Sequence, residues 1–155
     1  TNKPFSKWQL DQNFFHFPPP KFHKGIELDI EISRERDLAD SIMTAIVTAS
    51  TFSASMKFTD LGRLRVQECE RVVALRTELT KCGAKVIEEG DTLTVFPSAL
   101  HGAEIETYHD HRMAMGFAPL ATRLDVAIED RAVVNKSYPR FWDDLRSAGF
   151  ELEFR

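Results

Sequence analysis

The chain has 155 residues, of which 43% are hydrophobic and 28% are charged, a balance typical of a globular domain that can bury one substantial core. Its formal net charge of −4 argues against nucleic acid as the main partner, although a local positive field can still bind a small anionic substrate. No apolar run approaches the roughly 20 residues that span a bilayer, so no membrane partner is expected.

The first 24 residues predict a connector. The run Pro18-Pro19-Pro20 is stiff and excludes helix or central strand, while the aromatic residues at 13–17 fit the strand end of a preceding unit. The chain starts T-N-K-P-F-S-K, without an initiator methionine or the apolar stretch of a secretory signal. We therefore expect a longer protein in which an N-terminal part precedes this chain.

Strands and helices alternate from Gly25 onward. The segment 25–32 alternates apolar and acidic side chains, which is typical of a half-buried strand, and apolar stripes at helical spacing mark the helices. Pro119 should kink or end the helix in which it lies. We predict strands over 25–32, 55–61, 84–88, 92–96, 103–107, 124–128 and 150–154, and helices over 37–52 (capped by Asp37), 67–81, 110–122 and 138–148.

The pattern repeats after about seventy residues. The segment Asp40-Ser-Ile-Met43 in the first copy corresponds to Asp110-His-Arg-Met113 in the second. We therefore predict an α+β fold of repeated βαβαββ units with helices packed against sheets. The first unit covers residues 25–97 and the second covers 98–155, where the last strand is missing. Both units belong to one partial domain.

Three polar segments lie at predicted strand-to-helix turns, at residues 65–71 (RVQECER), 108–116 (YHDHRMAMG) and 135–139 (NKSYP). Helix N-termini present unpaired N–H groups and a positive dipole end, so they favour anions. Arg71, Arg112 and Lys136 at these starts predict an anion pocket for carboxylate or phosphate groups. Asp40 and Glu68 lie near similar helix starts and could transfer protons.

Each of these residues has a simpler interpretation. Glu68 and Arg71 are three residues apart, the spacing of a surface helix pair, and Asp40 suits the first turn of any helix. His109 and His111 flank an aspartate, but a metal site needs three or four converging ligands and the sequence offers no others, so no metal is expected.

The cysteines indicate the compartment. Cys69 and Cys82 are the only two, and they form neither a C-x-x-C pair nor a zinc-finger spacing. Such sparse use fits a reducing cytoplasm.

Four motifs together resemble the EPSP synthase (3-phosphoshikimate 1-carboxyvinyltransferase) family. The most specific is T-Y-H-D-H-R-M-A-M-G-F-A-P at 107–119, similar to the family run T-Y-[ND]-D-H-R-M-A-M. The others are R-V-Q-E-C-E-R at 65–71, A-D-S-I-M-T at 39–44 and N-K-S-Y-P at 135–139, in family order and spacing. The resemblance covers about residues 26–150 and implies the C-terminal part of a two-domain enzyme with three βαβαββ units in each domain.

The resemblance implies a reaction between phosphoenolpyruvate and shikimate 3-phosphate that needs no metal or organic cofactor. The acceptor 5-hydroxyl attacks the enol carbon, and the tetrahedral intermediate then loses phosphate. By motif position, Asp40 would take the hydroxyl proton and Glu68 would serve in proton transfer at the methylene carbon.

The resemblance also implies the binding residues. Arg71 and Arg112 would clamp the phosphoenolpyruvate carboxylate, Lys136 would hold its phosphate, and His111 would line the site. Preset cations are the expected catalytic device, because negative charge accumulates as the intermediate forms.

Two positions on the acceptor side depart from the family pattern. Gln67 stands where a lysine that touches phosphoshikimate is usual, and Arg63 stands where an asparagine is usual. Arg63 could restore the lost positive charge, so Asp40, Gln67 and Arg63 form the expected shikimate 3-phosphate side. The open alternatives are an enolpyruvyl transferase with another acceptor, such as a UDP-amino sugar, a catalytically weak paralogue that binds, and an RNA 3′-phosphate cyclase-like protein, which the clamp motifs do not fit.

Overall fold

The computed structural model describes residues 30–154, in which short strands alternate with short helices. The strands are β1 (Ile30–Ser33), β2 (Met56–Thr59), β3 (Lys85–Glu89), β4 (Thr92–Phe96), β5 (Glu104–Ile105) and β6 (Ala127–Ile128). The α-helices are α1 (Ile42–Ala49), α2 (Arg71–Lys81), α3 (His111–Phe117) and α4 (Phe141–Ser147). A π-helical turn covers Arg34–Leu38, and 3-10 turns cover Ala39–Ser41, Gly62–Val66, Ala118–Thr122 and Arg131–Lys136. Within residues 30–154, every helix is too short or too polar to traverse a bilayer.

Four strands form one sheet in the order β1-β2-β4-β3, and β5 pairs with β6 in a second, two-stranded sheet. β1 and β2 are parallel, with Ile32 opposite Phe58, so the chain crosses over between them through α1. β3 and β4 are antiparallel, and the tight turn between them contains Gly90 at φ +56°, a conformation that glycine adopts without strain.

One hydrophobic core joins the two sheets. The first helix, α1, buries a stripe at helical spacing, and α3 adds two large side chains to the same cluster. These buried residues are Ile42, Met43, Ile46 and Val47 from α1 and Met113 and Phe117 from α3. α1 packs against α3, and Asp40 just before α1 lies 3.3 Å from Arg112 at the start of α3, so the segments at the beginnings of these two helices lie side by side. The candidate site is built from those segments.

The predicted α+β class is confirmed, with helices packed against sheets. The hairpin of β3 and β4 is also confirmed, and α3 gives way to a 3-10 turn whose first turn contains Pro119, as the proline predicted. The predicted connector, residues 1–24, lies outside the described residues, as do residues 25–29 of the first predicted strand. The division into units at 25–97 and 98–155 stays a prediction.

The start of the first helix was predicted wrongly. Asp37 does not cap a helix but lies inside the π-helical turn, which is capped by Ser33 through a 3.0 Å bond from the Arg36 N–H. The Ala39 N–H bonds to the Arg34 carbonyl five residues back, and Ala39 has φ +46°. This wider turn separates β1 from α1, which begins only at Ile42.

The predicted final strand over 150–154 is also wrong. No strand occurs there in the described chain, and Phe154 instead packs its ring under the guanidinium of Arg131, 4.0 Å from the ring centroid. Two helices also begin later than predicted, α2 at Arg71 and α4 at Phe141.

Candidate active site

A cavity of about 460 Å³ lies where the segments before α1, α2 and α3 meet. This volume is in the range of small-molecule sites. Its lining is polar and consists of Asp40, Gln67, Glu68, Arg71, His111 and Arg112. All six are predicted site residues, so the fold brings together side chains that lie up to about seventy positions apart in sequence. Their roles stay predictions.

Arg71 is held at the wall of the cavity by a buried carboxylate. It is the first residue of α2, which Glu70 caps by accepting a bond from the Val73 N–H. Arg71 is 2% exposed, and its Nε and Nη2 donate to the two oxygens of Asp110 at 2.6 and 3.2 Å. Its Nη1 donates to Gln67. A guanidinium has five N–H groups, so two of them have no partner among residues 30–154 and could bind a ligand.

Asp110 joins the two arginines that the sequence predicted as a clamp. It is fully buried, it caps α3, and it accepts the Arg112 N–H at 2.8 Å in addition to the Arg71 fork. Burial by itself would raise the pKa of Asp110, but the hydrogen bonds from Arg71 and from the Arg112 backbone outweigh it, and the pKa lies below its usual value. Sequence reasoning missed this role, although an aspartate directly before a helical run is a typical cap.

Cys69 supports the same aspartate. Its Sγ donates to Asp110 Oδ2 at 3.5 Å. Burial, followed by the negative charge of Asp110, raises the pKa of the Cys69 thiol to about 12. The thiol is therefore protonated at neutral pH and is a donor in this site, not a nucleophile.

Asp40 lies between two cations. Its Oδ1 accepts a 2.6 Å bond from Nη2 of Arg34, and its Oδ2 lies 3.3 Å from Nη2 of Arg112. Burial opposes ionisation of Asp40, but the Arg34 hydrogen bond and the charges of Arg112, Arg34 and Arg71 outweigh it and lower the pKa below its usual value. Asp40 is therefore ionised at neutral pH, and sequence reasoning did not foresee Arg34.

Glu68 lines the cavity beside His111 and pairs with a lysine that lies outside the lining. Lys136 forms an ion pair with Glu68, and Nδ1 of His111 lies 3.4 Å from Glu68 Oε2. That Nδ1 is buried and has no hydrogen-bond partner among the described residues. Lys136 was predicted at a helix start, which is wrong: it ends the 3-10 turn Arg131–Lys136, and α4 begins only five residues later.

Gln67 and Arg63, the two positions that depart from the family pattern, lie in different surroundings. Gln67 lines the cavity, whereas Arg63 is exposed on the 3-10 turn Gly62–Val66 and is not among the lining residues. The expected replacement of a lysine charge by Arg63 stays a prediction.

Glu68, Asp110 and His111 place one ligand atom each within 4.8 Å of one another, a geometry that could in principle hold a metal ion. Both carboxylates already face cations, because Asp110 binds Arg71 and Glu68 binds Lys136. A divalent ion there would lie beside two positive side chains, so this donor set does not suit a metal.

A buried glutamate fixes the loop that precedes α3. Glu78 on α2 is 0% exposed, and it accepts the Tyr108 hydroxyl at 2.8 Å and the Glu106 N–H at 3.1 Å. Tyr108 and His109 have φ values of +52° and +56°, which are strained for residues other than glycine. The hydrogen bonds to Glu78 help to hold this strained loop, which presents Asp110 and the start of α3 to the cavity.

Arg65 fixes the segment before α2 in a comparable way. Its guanidinium donates to Glu70 at 2.6 Å, Glu88 at 2.8 Å and Asp91 at 3.0 Å. The hairpin of β3 and β4 is thereby tied to the segment that carries Gln67 and Glu68.

The arrangement can bind a small anion and transfer protons beside it. Arg71 and Arg112 line the cavity with Asp40 and Glu68, and Lys136 is joined to this group through its ion pair with Glu68. Each cation is at present paired with a carboxylate of the chain, so an anionic ligand would compete with those carboxylates for the same N–H groups.

Comparisons with known proteins match most of the chain to one family. Residues 21–145 match the family described as EPSP synthase (3-phosphoshikimate 1-carboxyvinyltransferase). The 3-phosphoshikimate 1-carboxyvinyltransferase of Bacteroides fragilis is 38% identical over 122 residues, which are 76% of this chain and 30% of that protein. The enzyme of the same name from Clostridium acetobutylicum is 39% identical over 116 residues, or 73% of this chain and 27% of that protein. The chain thus spans about 30% of the length of these relatives.

Two solved structures share the fold. EPSP synthase from Acinetobacter baumannii has a TM-score of 0.73 at 24% identity and covers 81% of this chain and 31% of its own. The enolpyruvyl transferase NikO from Streptomyces tendae has a TM-score of 0.59 at 14% identity and covers 79% of this chain and 28% of its own.

Proposed function

The chain belongs to the EPSP synthase (3-phosphoshikimate 1-carboxyvinyltransferase) family, and on that premise we propose that it forms one wall of an enolpyruvyl transferase site. The reaction would transfer the enolpyruvyl group of phosphoenolpyruvate to the 5-hydroxyl of shikimate 3-phosphate and release phosphate. The observation that carries the proposal is the cavity at which Arg71 and Arg112 meet Asp40 and Glu68, with Lys136 paired to Glu68. The rest of the enzyme would supply the opposite wall.

Phosphoenolpyruvate would bind to the three cations. Arg71 keeps two N–H groups after its bonds to Asp110 and Gln67, and Arg112 is partly exposed at the cavity, so both can grip the carboxylate. Lys136 is about half exposed, and its ammonium suits the phosphate as a point charge once it leaves Glu68.

Two carboxylates would move the protons. Asp40, ionised at neutral pH, accepts the proton of the acceptor hydroxyl while the hydroxyl oxygen attacks the enol carbon of phosphoenolpyruvate. Glu68 donates a proton to the methylene carbon, which completes the tetrahedral intermediate. In the second step Glu68 takes a proton back from that carbon, the enol double bond forms again as the C–O bond to phosphate breaks, and the proton held by Asp40 leaves with the phosphate. The reaction so written needs neither a metal nor an organic cofactor.

Gln67 bears on the identity of the acceptor substrate in the proposed reaction. This amide accepts a bond from Arg71 and brings no charge to the wall where the family pattern has lysine. An enolpyruvyl transferase with another acceptor, such as a UDP-amino sugar, is therefore the second candidate.

We also assign the enzyme to a reducing compartment, the cytoplasm, because both cysteines are free thiols.

The proposal is tested by the identity of the product. The full-length protein is incubated with phosphoenolpyruvate and either shikimate 3-phosphate or UDP-N-acetylglucosamine, and the products are identified by mass spectrometry. We expect the enolpyruvyl ether of shikimate 3-phosphate to form and the enolpyruvyl ether of the sugar nucleotide not to form. Transfer only to the sugar nucleotide would replace the acceptor, and no transfer to either would overturn the proposed function.

A further inference from the structure

A buried arginine that belongs to none of the sequence motifs stands behind Asp40. The side chain of Arg34 is 10% exposed, and its Nη2 donates to Asp40 Oδ1 at 2.6 Å. Its Nε is buried without a hydrogen-bond partner in the part of the chain that the structure describes. A buried guanidinium with an unpaired N–H is costly, so the bond to Asp40 is the contact that retains it there.

The backbone holds Arg34 in this place. Arg34 begins the π-helical turn that separates β1 from α1, and its carbonyl accepts the Ala39 N–H. The turn therefore ties the residue directly before Asp40 to Arg34 through the main chain, while the side chains of Arg34 and Asp40 meet. Both contacts fix the same carboxylate relative to the cavity.

The two carboxylate oxygens of Asp40 have different partners. Oδ1 is occupied by Arg34, which does not line the cavity, whereas Oδ2 points toward Arg112, which does. We propose that Arg34 is a positioning residue that locks the Asp40 carboxylate with Oδ2 toward the cavity and keeps it in its anionic form. Oδ2 is then the oxygen that meets a ligand hydroxyl, a consequence that rests on the proposed function.

Three guanidiniums face Asp40 from different elements: Arg34 from the π-helical turn, Arg112 from α3, and Arg71 from the start of α2. Burial of Asp40 acts against all three. Removal of Arg34 would leave that burial less opposed, so Asp40 would take up a proton at a higher pH than in the native protein.

The test compares Arg34→Met and Arg34→Lys with the matched control Arg36→Gln in the full-length protein. Arg36 lies in the same turn but is 64% exposed and pairs with Asp37, away from the cavity. The first readout is the carboxyl carbon signal of Asp40 in a pH titration by NMR, assigned by its loss in Asp40→Asn. We expect the Asp40 midpoint to move to higher pH in Arg34→Met, less so in Arg34→Lys, and not in Arg36→Gln.

The second readout is the kinetics of enolpyruvyl transfer. A misplaced catalytic group can cost up to about 100-fold in rate, so we expect kcat to fall about 10- to 100-fold in Arg34→Met, with KM for phosphoenolpyruvate within about twofold of native. The acid limb of the rate profile should move with the NMR midpoint, and Arg34→Lys should recover part of the rate.

An unchanged Asp40 midpoint in Arg34→Met would overturn the inference. Equal losses of kcat in the Met and Lys variants, in proportion to a lower melting temperature and without a shift of the midpoint, would also overturn it. If Arg34→Met does not fold, the Lys variant decides alone, because a native midpoint and native kcat there together refute a role that depends on guanidinium geometry. A shifted midpoint in a protein that transfers nothing would retain the inference about Asp40 and refute the proposed function.

Discussion

At the scale of the residue, the candidate site combines one buried ion pair with more exposed charges, and the partner of each charge is close. Asp110 has no exposed surface and holds Arg71 through two bonds, and Asp40 has a guanidinium on each of its oxygens. A buried charge that loses its partner costs about 3–5 kcal/mol, so substitutions in the Arg71–Asp110 pair should change stability as well as ligand binding. The two effects can be separated by the choice of residue.

Asp40→Asn isolates the proposed proton acceptor. The amide keeps the shape of the carboxylate but cannot take up the hydroxyl proton, so turnover should fall by about 100-fold or more with little change in phosphoenolpyruvate affinity. Steady-state kinetics and calorimetric titration of the full-length protein measure the two quantities. Near-native turnover would show that Asp40 is not the base.

Arg71→Ala and Arg112→Ala should differ in stability and agree in binding. Either change should weaken phosphoenolpyruvate binding by about 2–4 kcal/mol, since a carboxylate loses a charge-assisted partner. Only Arg71→Ala removes the cation that pairs with the buried Asp110, so it alone should also lower the free energy of unfolding by about 3–5 kcal/mol.

Calorimetry and denaturant unfolding check this pair, and the lysine variants serve as controls. Lysine retains the charge but not the two-pronged geometry, so it should rescue binding poorly at both positions. Full tolerance of lysine at both would rule out a carboxylate clamp.

Acid should weaken the Arg71–Asp110 pair in a defined direction. The folded-state pKa of Asp110 is lowered, so its contribution to stability is complete above the unfolded-state value of about 3.9 and is lost as the pH falls through the folded-state value. We expect the stability difference between native protein and Asp110→Asn to be largest near neutral pH and to shrink below about pH 4. A difference that stays constant down to pH 2 would contradict this assignment.

At the scale of the element, the site depends on the turns that precede α1, α2 and α3. Periodicity predicted that these helices exist, because their apolar stripes are local features of the sequence. It placed the start of α1 too early, because the π-helical turn is fixed by the Ser33 cap and by the Ala39–Arg34 backbone bond. It also predicted a last strand that has no neighbour to pair with in the described chain.

The site was predictable to the extent that its residues stand in short motifs. Arg71, Arg112 and Asp40 were found in this way, and the fold brings them to one cavity. Arg34 and Glu78 were missed because their importance comes from burial and from partners in other elements, which a single sequence does not reveal.

The loop before α3 offers a test at this scale. Glu78→Gln weakens the 2.8 Å bond from the Tyr108 hydroxyl to Glu78, and Tyr108→Phe removes it, in the loop that has positive φ at Tyr108 and His109. A double-mutant cycle on the free energy of unfolding should give a coupling of about 1–2 kcal/mol, as for groups that share one network. Each single variant should also lower kcat, because the loop presents Asp110 and α3. Additive effects on stability would mean that the hydrogen bond does not hold the loop.

At the scale of the whole molecule, the chain spans about 30% of its relatives' length and carries one charged wall. Enolpyruvyl transfer needs two anionic substrates held in reacting geometry, which contributes up to about 7–11 kcal/mol to the rate. In the proposed function the three cations bind phosphoenolpyruvate, and the acceptor would need further groups. We therefore expect that catalysis requires this chain together with the remainder of the enzyme.

The most direct measurement is phosphate release from phosphoenolpyruvate in the presence of shikimate 3-phosphate, followed for this chain alone and for the full-length protein under the same conditions. We expect release by the full-length protein at about 1–10³ per second, the usual range for enzymes, no release when shikimate 3-phosphate is omitted, and none by the chain alone. Absence of release by the full-length protein would contradict the transferase function, and release by the chain alone at an enzymatic rate would show that these residues already build a complete site.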